Sequence, residues 1–578
     1  MRLSISKSKN AQSLYVIDDV TVGNKRTSVV VESLGTISEL QEKLQGQDPI
    51  VWAKEYVQSL REAKKLGEET IIQKFSSARQ IPKNEVNSFQ GGYLFLEQIY
   101  HLLGLHKIAQ SIALEHKIEY NLDAILSRLL YTRILNPSSK HSSYECSKQY
   151  LEGPDFELHQ VYRALSLLAA HSSDIETQVY RNSLKAVDRN TKVLYYDCTN
   201  YFFEIEQEDD LRKYGQSKQH QPSPLVQMGL FMDGSGLPLA FSINPGNQNE
   251  QPTLKPLEKR IIKDFELSKF IVCTDAGLGS ISNRKFNAIQ DRAYVVTQSI
   301  KQLRDHLKSW ALDPSGWSLS GIDAKIDIRK IHDSPRNNRI YFKERWIKEN
   351  GLEQHLVVTY SPKYKHYQKN IRDQQVLRAE KLATSPSKMN RKRSNDPKRF
   401  IESTHCTSEG EVAEKELLQI NADKIAEEAR YDGFYAVCTN VDGEVEQILA
   451  INKQRWRIEA CFRTLKSEFK ARPVYLRNKD RIHAHFLTCF LSLLIFRILE
   501  LNLGEEYTES EIISTLRGMS FRKLGNKGYI PAYTRTDLTD QLHEVAGIHT
   551  DREIISSKMM RNIFKQVKEG KKLRKKDK

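Results

Sequence analysis

Residues 193–205 read VLYYDCTNYFFEI, and the fold turns on this stretch. It is dense in β-branched and aromatic residues and lacks Gly or Pro, so it reads as a buried strand with Asp197 in its middle. LVQMGLFM (225–232) and LPLAFSIN (237–244) follow as two more apolar runs, with the turn signal DGSG (233–236) between them. PTLKPLEKRIIKDF (252–265) has helical spacing. KFIVCTD (269–275) is a strand ending on Asp275, SNRKFNAIQD (282–291) a short helix, and AYVVTQ (293–298) a further strand. Three consecutive strands followed by strand–helix alternation predict an α/β fold, a mixed sheet carrying helices, with strands apolar enough to be covered on both faces.

Outward from this core the periodicity changes. SLYVIDDVTV and TSVVVESLG, split by GNKR, predict a small β meander over 1–35. From 36 to 185 the period is helical, with Asn121 and Asp155 as expected N-caps and NPSSKHSS (136–143) as a loop. Residues 186–299 form the first part of the core. Between 300 and 430 the rhythm breaks into short strand-like runs, then the basic HYQKNIRDQQVLRAEKLA and the hydrophilic SPSKMNRKRSNDPKRF. Residues 361–400 hold 12 Lys and Arg against 3 Asp and Glu. Such a segment is either a solvated excursion or a lid able to clamp a phosphate backbone through Lys388, Arg391, Lys392, Arg393, Lys398 and Arg399. The core resumes over 431–500. Residues 501–578 read as a helical region with a frayed basic tail.

The chain of 578 residues carries a net charge of +15 and a pI near 9.2, which suits a polyanionic partner as well as simple solubility. Seven cysteines stand singly, without metal-ligand or redox spacing. FLTCFLSLLIFRILE (486–500) holds too short an apolar run before Arg497 to span a bilayer and is expected to be a buried helix. The start of the sequence lacks a signal-like apolar run, and these features together predict a cytoplasmic protein without a membrane partner.

A third acidic residue, Glu459, lies in QRWRIEACFRTLKSEFKA (454–471). At about 100° per residue, Arg455, Glu459, Arg463, Lys466 and Lys470 share one stripe, and Ile458, Phe462, Leu465 and Phe469 share the next. The apolar stripe would dock on the sheet and leave Glu459 at the rim of the core among cations. An i,i+4 ion-pair ladder on a surface helix has the same pattern. Asp197, Asp275 and Glu459 are nonetheless the residue type that hard divalent cations prefer, held on rigid strands and a helix.

NKQRWRIEACFRTLK (452–466) resembles the Y-x2-R-x3-E-x6-K signature of DDE transposases from bacterial insertion sequences. Arg455, Glu459 and Lys466 match it, Trp456 and Ile458 match its RWxIE centre, and Asn452 stands where the signature has tyrosine. YYDCTNYFF and VCTDAG resemble the two aspartate segments of that family. YGQSKQH, NPGN, FYAVCTN and RPVYLRNKDRIHAHF add matches over roughly 190–495, and NPSSKHSS and the end of VVVESLG extend the likeness. The resemblance implies a ribonuclease H-like mixed sheet with a largely β insertion in the interval of 184 residues from Asp275 to Glu459. It implies Asp197, Asp275 and Glu459 as catalytic ligands of two Mg²⁺ ions, with Mn²⁺ able to substitute. Arg455, Lys466, Arg463, Trp456 and Asn452 would then meet DNA. Further implications are terminal inverted repeats bound with help from the helical 36–185 region, target DNA, a homodimer in the DNA complex, and action at the bacterial nucleoid. A nuclease of the same fold without strand transfer, or a non-catalytic DNA-binding descendant, fits the same residues.

Overall fold

The computed structural model describes residues 1–574 apart from 8–10, 23–24, 45, 66–75, 79, 82, 219–221, 385–395 and 407–411. Ten strands, β1 to β10 in chain order, make one mixed sheet: β1 (Val193–Phe202), β2 (Leu225–Asp233), β3 (Pro238–Pro245), β4 (Ile271–Thr274), β5 (Ala293–Gln298), β6 (Trp317–Leu319), β7 (Ile322–Ile326), β8 (Tyr341–Glu349), β9 (Leu352–Tyr360) and β10 (Phe434–Thr439). Their order across the sheet is β7-β6-β8-β9-β10-β5-β4-β1-β2-β3. β1, β2 and β3 are antiparallel neighbours, whereas β4 and β5 run parallel to β1 on its other side. β10 joins β5 antiparallel, and β9 joins β10, so β6 to β9 extend this same sheet. What stands apart in the 300–430 segment is the helix Pro362–Ala383 with the hairpin Ile401–Cys406/Val412–Ile420.

The sequence explains the central strands. In β1, alternate residues face opposite sides. Leu194, Tyr196 and Cys198 pack with Leu254, Leu257 and Ile261 of helix Leu254–Asp264. Tyr195 and Tyr201 face the main core with Ile458, Leu465 and Phe486. The β2–β3 turn closes on the Asp233 carboxylate, which accepts from the Ser235 and Leu237 N–H groups at 2.9 and 3.1 Å, and Gly236 takes φ 85°. Three helices follow β10: α1 (Val445–Lys453), α2 (Trp456–Ser467) and α3 (Lys479–Asn502). Ile458, Phe462, Leu465 and Phe469 are all buried, so the apolar stripe docks as expected. Each such side chain contributes about 1.5–3 kcal/mol by leaving water. α2 ends at Ser467, and Lys470 has φ 44°, which takes it out of the basic stripe predicted for it.

α3 is 24 residues long and is apolar enough to cross a membrane, longer than the apolar run suggested, because the buried Arg497 is paired with Glu500 and so does not interrupt it. Its side chains are nearly all buried inside the protein. It packs against helices Leu122–Leu135 and Leu158–Ala170 of the amino-terminal half. Asn121 caps the first of these, accepting from the Ala124 N–H at 2.9 Å. Glu157 caps the second, and Asp155 instead accepts from the Asn121 side chain at 2.7 Å. NPSSKHSS is only partly loop: Ser139 caps a helix over Lys140–Ser147. Arg2–Lys7, Gln12–Val22 and Lys25–Thr36 form a three-stranded antiparallel meander. Beyond α3, the expected helices are joined by short strands Ser520–Leu524, Gly528–Pro531 and Ile555–Ser556, which pair with Ser88–Gln90 in a four-stranded sheet. The tail stays packed through Arg574, whose N–H donates to Val545.

Candidate active site

Two facts of strand geometry build the site. β1 and β4 are parallel with Tyr195 opposite Cys273, so two residues further on Asp197 comes beside Asp275. By the period of two, Asp197 shares a face with Tyr195 and Tyr201, and Asp275 shares one with Cys273. This is the face on which α1 and α2 dock. The Tyr195 hydroxyl donates to the Ile451 carbonyl at 3.0 Å, and the Cys273 thiol lies 4.0 Å from the Asn452 side-chain oxygen.

The electrostatics are those of two acids held together. Asp197 accepts from the Cys198 N–H at 2.7 Å, and Asp275 caps the short turn after β4 by accepting from Leu278 N–H at 3.0 Å. Burial pushes the Asp197 carboxyl up to about 6; Asp275 adds to the rise, while Lys218, the Cys198 N–H and Arg455 oppose it. Glu459 lies one turn into α2, exposed, with its carboxylate 3.4 Å from the Arg455 guanidinium. Arg455 therefore pairs with Glu459 and also acts on Asp197. The three carboxylates are not all within 4.8 Å of one another; the structure brings the aspartates together and leaves Glu459 at the rim.

Lys466, two turns further along α2, is half-buried and donates to the Thr199 hydroxyl on β1. Burial, together with Arg472 and Lys218, brings its ammonium down to about 8. Asn452 donates to the Tyr435 hydroxyl at 3.0 Å, and that hydroxyl lies 2.7 Å from Thr297. Trp456 and Arg463 are exposed. Arg399 is taken up by Glu428 at 3.0 Å and by Gln375 at 2.6 Å, so its charge is compensated inside the fold; Lys398 lies beside it, half-buried. Lys388, Arg391, Lys392 and Arg393 lie outside the described residues.

Lys218 was not among the expected site residues. Its ammonium donates to the Cys198 carbonyl at 2.6 Å and pairs with Glu250 at 3.0 Å; despite its own desolvation, Asp197 and Glu250 hold it above its ordinary value. Its signal was YGQSKQH, whose lysine follows a glycine that packs on NPGN. A side chain at Gly215 would meet the Gly246 carbonyl at 2.1 Å, so only glycine lets the two segments touch and carry Lys218 to the acids.

A hard-oxygen pair, with the native fold already resisting two adjacent negative charges, fits a divalent cation. Asp197 and Asp275 would supply donors to such an ion, and Glu459 would join only after leaving Arg455. A family model described as Transposase DDE domain matches residues 201–495, just over half of the chain, and the chain belongs to that family. The matched span includes Asp275 and Glu459 and begins four residues after Asp197. No curated protein matches it in sequence. Among solved structures, the cryo-EM structure of the piggyBac transposase synaptic complex with hairpin DNA is similar over 85% of this chain and 88% of that one, with 9% sequence identity and a TM-score of 0.35.

Proposed function

We propose that this chain is the transposase of a bacterial insertion sequence. It would bind the element's terminal inverted repeats, cleave the ends by metal-dependent phosphoryl transfer and join them to target DNA, working at the nucleoid as a homodimer on two ends. The observation that carries the reading is the placement of Asp197 beside Asp275 on one face of the sheet, with Arg455 linking that pair to Glu459. We read the arrangement β3-β2-β1-β4-β5, three antiparallel strands with two parallel ones beside the first, as ribonuclease H-like.

In this mechanism Asp197, Asp275 and Glu459 hold Mg²⁺, or Mn²⁺ in its place. Two such ions, when bound, activate an attacking hydroxyl and stabilise the leaving oxygen of an in-line displacement. Arg455 releases Glu459 and turns to the DNA backbone. Lys466, fixed on Thr199, and Lys218, fixed on the Cys198 carbonyl, hold phosphates beside the acids. Backbone contacts of this type set position without reading sequence. Trp456, Arg463 and Asn452 flank the same helix face or its start.

The test is cleavage of a DNA fragment carrying the inverted repeats that flank this gene, in Mg²⁺. The native protein nicks at the repeat end and transfers the 3′ end to a target plasmid. Asp197→Asn, Asp275→Asn and Glu459→Gln bind the fragment and leave it intact. A variant that cuts at the native rate removes that residue from the site, and cleavage without any transfer favours the nuclease reading.

A further inference from the structure

Beyond the end of α2, a pocket of about 550 Å³ lies between the catalytic half and the amino-terminal helices. Six cationic side chains line it, Arg133, Lys140, Lys470, Arg472, Arg477 and Arg481, and no carboxylate is among its lining residues. Arg133 reaches across from helix Leu122–Leu135, donating to the Phe469 carbonyl at 3.1 Å and the Ser138 carbonyl at 3.2 Å. Lys140 is only 5% exposed, and its ammonium has no hydrogen-bond partner among the described residues. A buried ammonium left without an acceptor is costly unless something outside the fold supplies one. Lys140 also opens the helix capped by Ser139, so the positive end of that helix faces the same space. Burial and Arg133 draw the Lys140 ammonium down to about 7.

We propose that this pocket binds a phosphate group, and that in the working complex the group is a backbone phosphate of duplex DNA. One lining residue, Arg472, reaches toward the acids. Arg472 lies with its guanidinium 5.7 Å from the ring of Phe202 at the end of β1, and its charge is felt at Lys466, which in turn holds Thr199 next to Asp197. A strand positioned at the carboxylates would thus run on along Lys466 and Arg472 to a phosphate seated between Lys140 and Arg477. The proposal rests on the transposase reading for the identity of the polymer. The anion chemistry rests on the pocket alone.

The experiment measures duplex DNA affinity against salt by fluorescence anisotropy, without divalent metal so that cleavage plays no part. It compares the native chain with Lys140→Met, which keeps the buried volume, and with Arg477→Ala at an exposed position. Inorganic phosphate is titrated by calorimetry in parallel. Each substitution is expected to weaken duplex binding several-fold on any sequence and to lower the log–log salt slope by about one. Both should weaken phosphate binding. Phosphate binding abolished in the variants with duplex affinity unchanged would overturn the DNA assignment. Duplex affinity, slope and phosphate binding all unchanged would overturn the site itself. A native chain that fails to bind any duplex counts against the transposase reading, a separate result.

Discussion

Asp197 is where the chemistry and the stability of the protein pull in opposite directions. Its carboxyl is held at about 6 rather than 3.8, so the native state binds its proton more tightly than the unfolded chain does. The sign follows from linkage: the stability due to the protonated form is present below about pH 4 and is lost as pH rises to about 6. Asp197→Asn stays neutral throughout. In EDTA it is expected to be more stable than the native chain by about 3 kcal/mol well above pH 6 and nearly equal to it at pH 4. Thermal melts across that range check this; identical melts at every pH would mean that the acid is not strained in the fold. The same residue was the most legible in the sequence, because an acid in the middle of VLYYDCTNYFF breaks an otherwise apolar strand. Lys218 was less legible. Its position depends on two glycine-bearing loops meeting, an approach of residues about thirty apart that no local pattern encodes.

Among the elements, α2 does most to assemble the site, and its two stripes were readable from helical spacing. The apolar stripe is buried as the spacing implied, but the basic stripe ends early, since Lys470 adopts a left-handed conformation that spacing cannot anticipate. The pairing of Arg455 with Glu459 at 3.4 Å realises one link of the simple ion-pair ladder, so pattern alone could not separate the two readings. Lys466 lies outside such a ladder, since it donates to the Thr199 hydroxyl of β1 and not to a carboxylate. Lys466→Ala is therefore expected to slow end cleavage by about 10²-fold, the cost of a misplaced scissile phosphate, and to do so equally on unrelated end sequences. Rates measured on a panel of ends decide it; altered preference at an unchanged rate would contradict the role. Outside the core, the strands after α3 were missed because runs of two to five residues become strands only by pairing in a sheet whose edge, Ser88–Gln90, lies more than 400 residues earlier and pairs with Ser520–Leu524.

For the whole molecule, the excess of positive charge predicts a salt-sensitive complex with DNA. Neutralising Lys388, Arg391, Lys392 and Arg393 together should flatten the salt dependence of duplex binding, by about 0.9 in slope for each phosphate left without its cation. Arg399, paired with Glu428, should instead be felt in stability. An unchanged slope would make the basic segment a solvated excursion. In sequence, 300–430 reads as an insertion set apart, but β6 to β9 join the ten-stranded sheet through β10, a long-range pairing that no local pattern encodes. The proposed chemistry stands or falls on three acids, distant in sequence, holding divalent metal together. Anomalous scattering from Mn²⁺ in crystals of the protein with a repeat-end duplex decides this. Mn²⁺ is expected on Asp197, Asp275 and Glu459, with Glu459 turned away from Arg455. Mn²⁺ absent from the two aspartates, or bound there with Glu459 still paired to Arg455, would overturn the three-acid site.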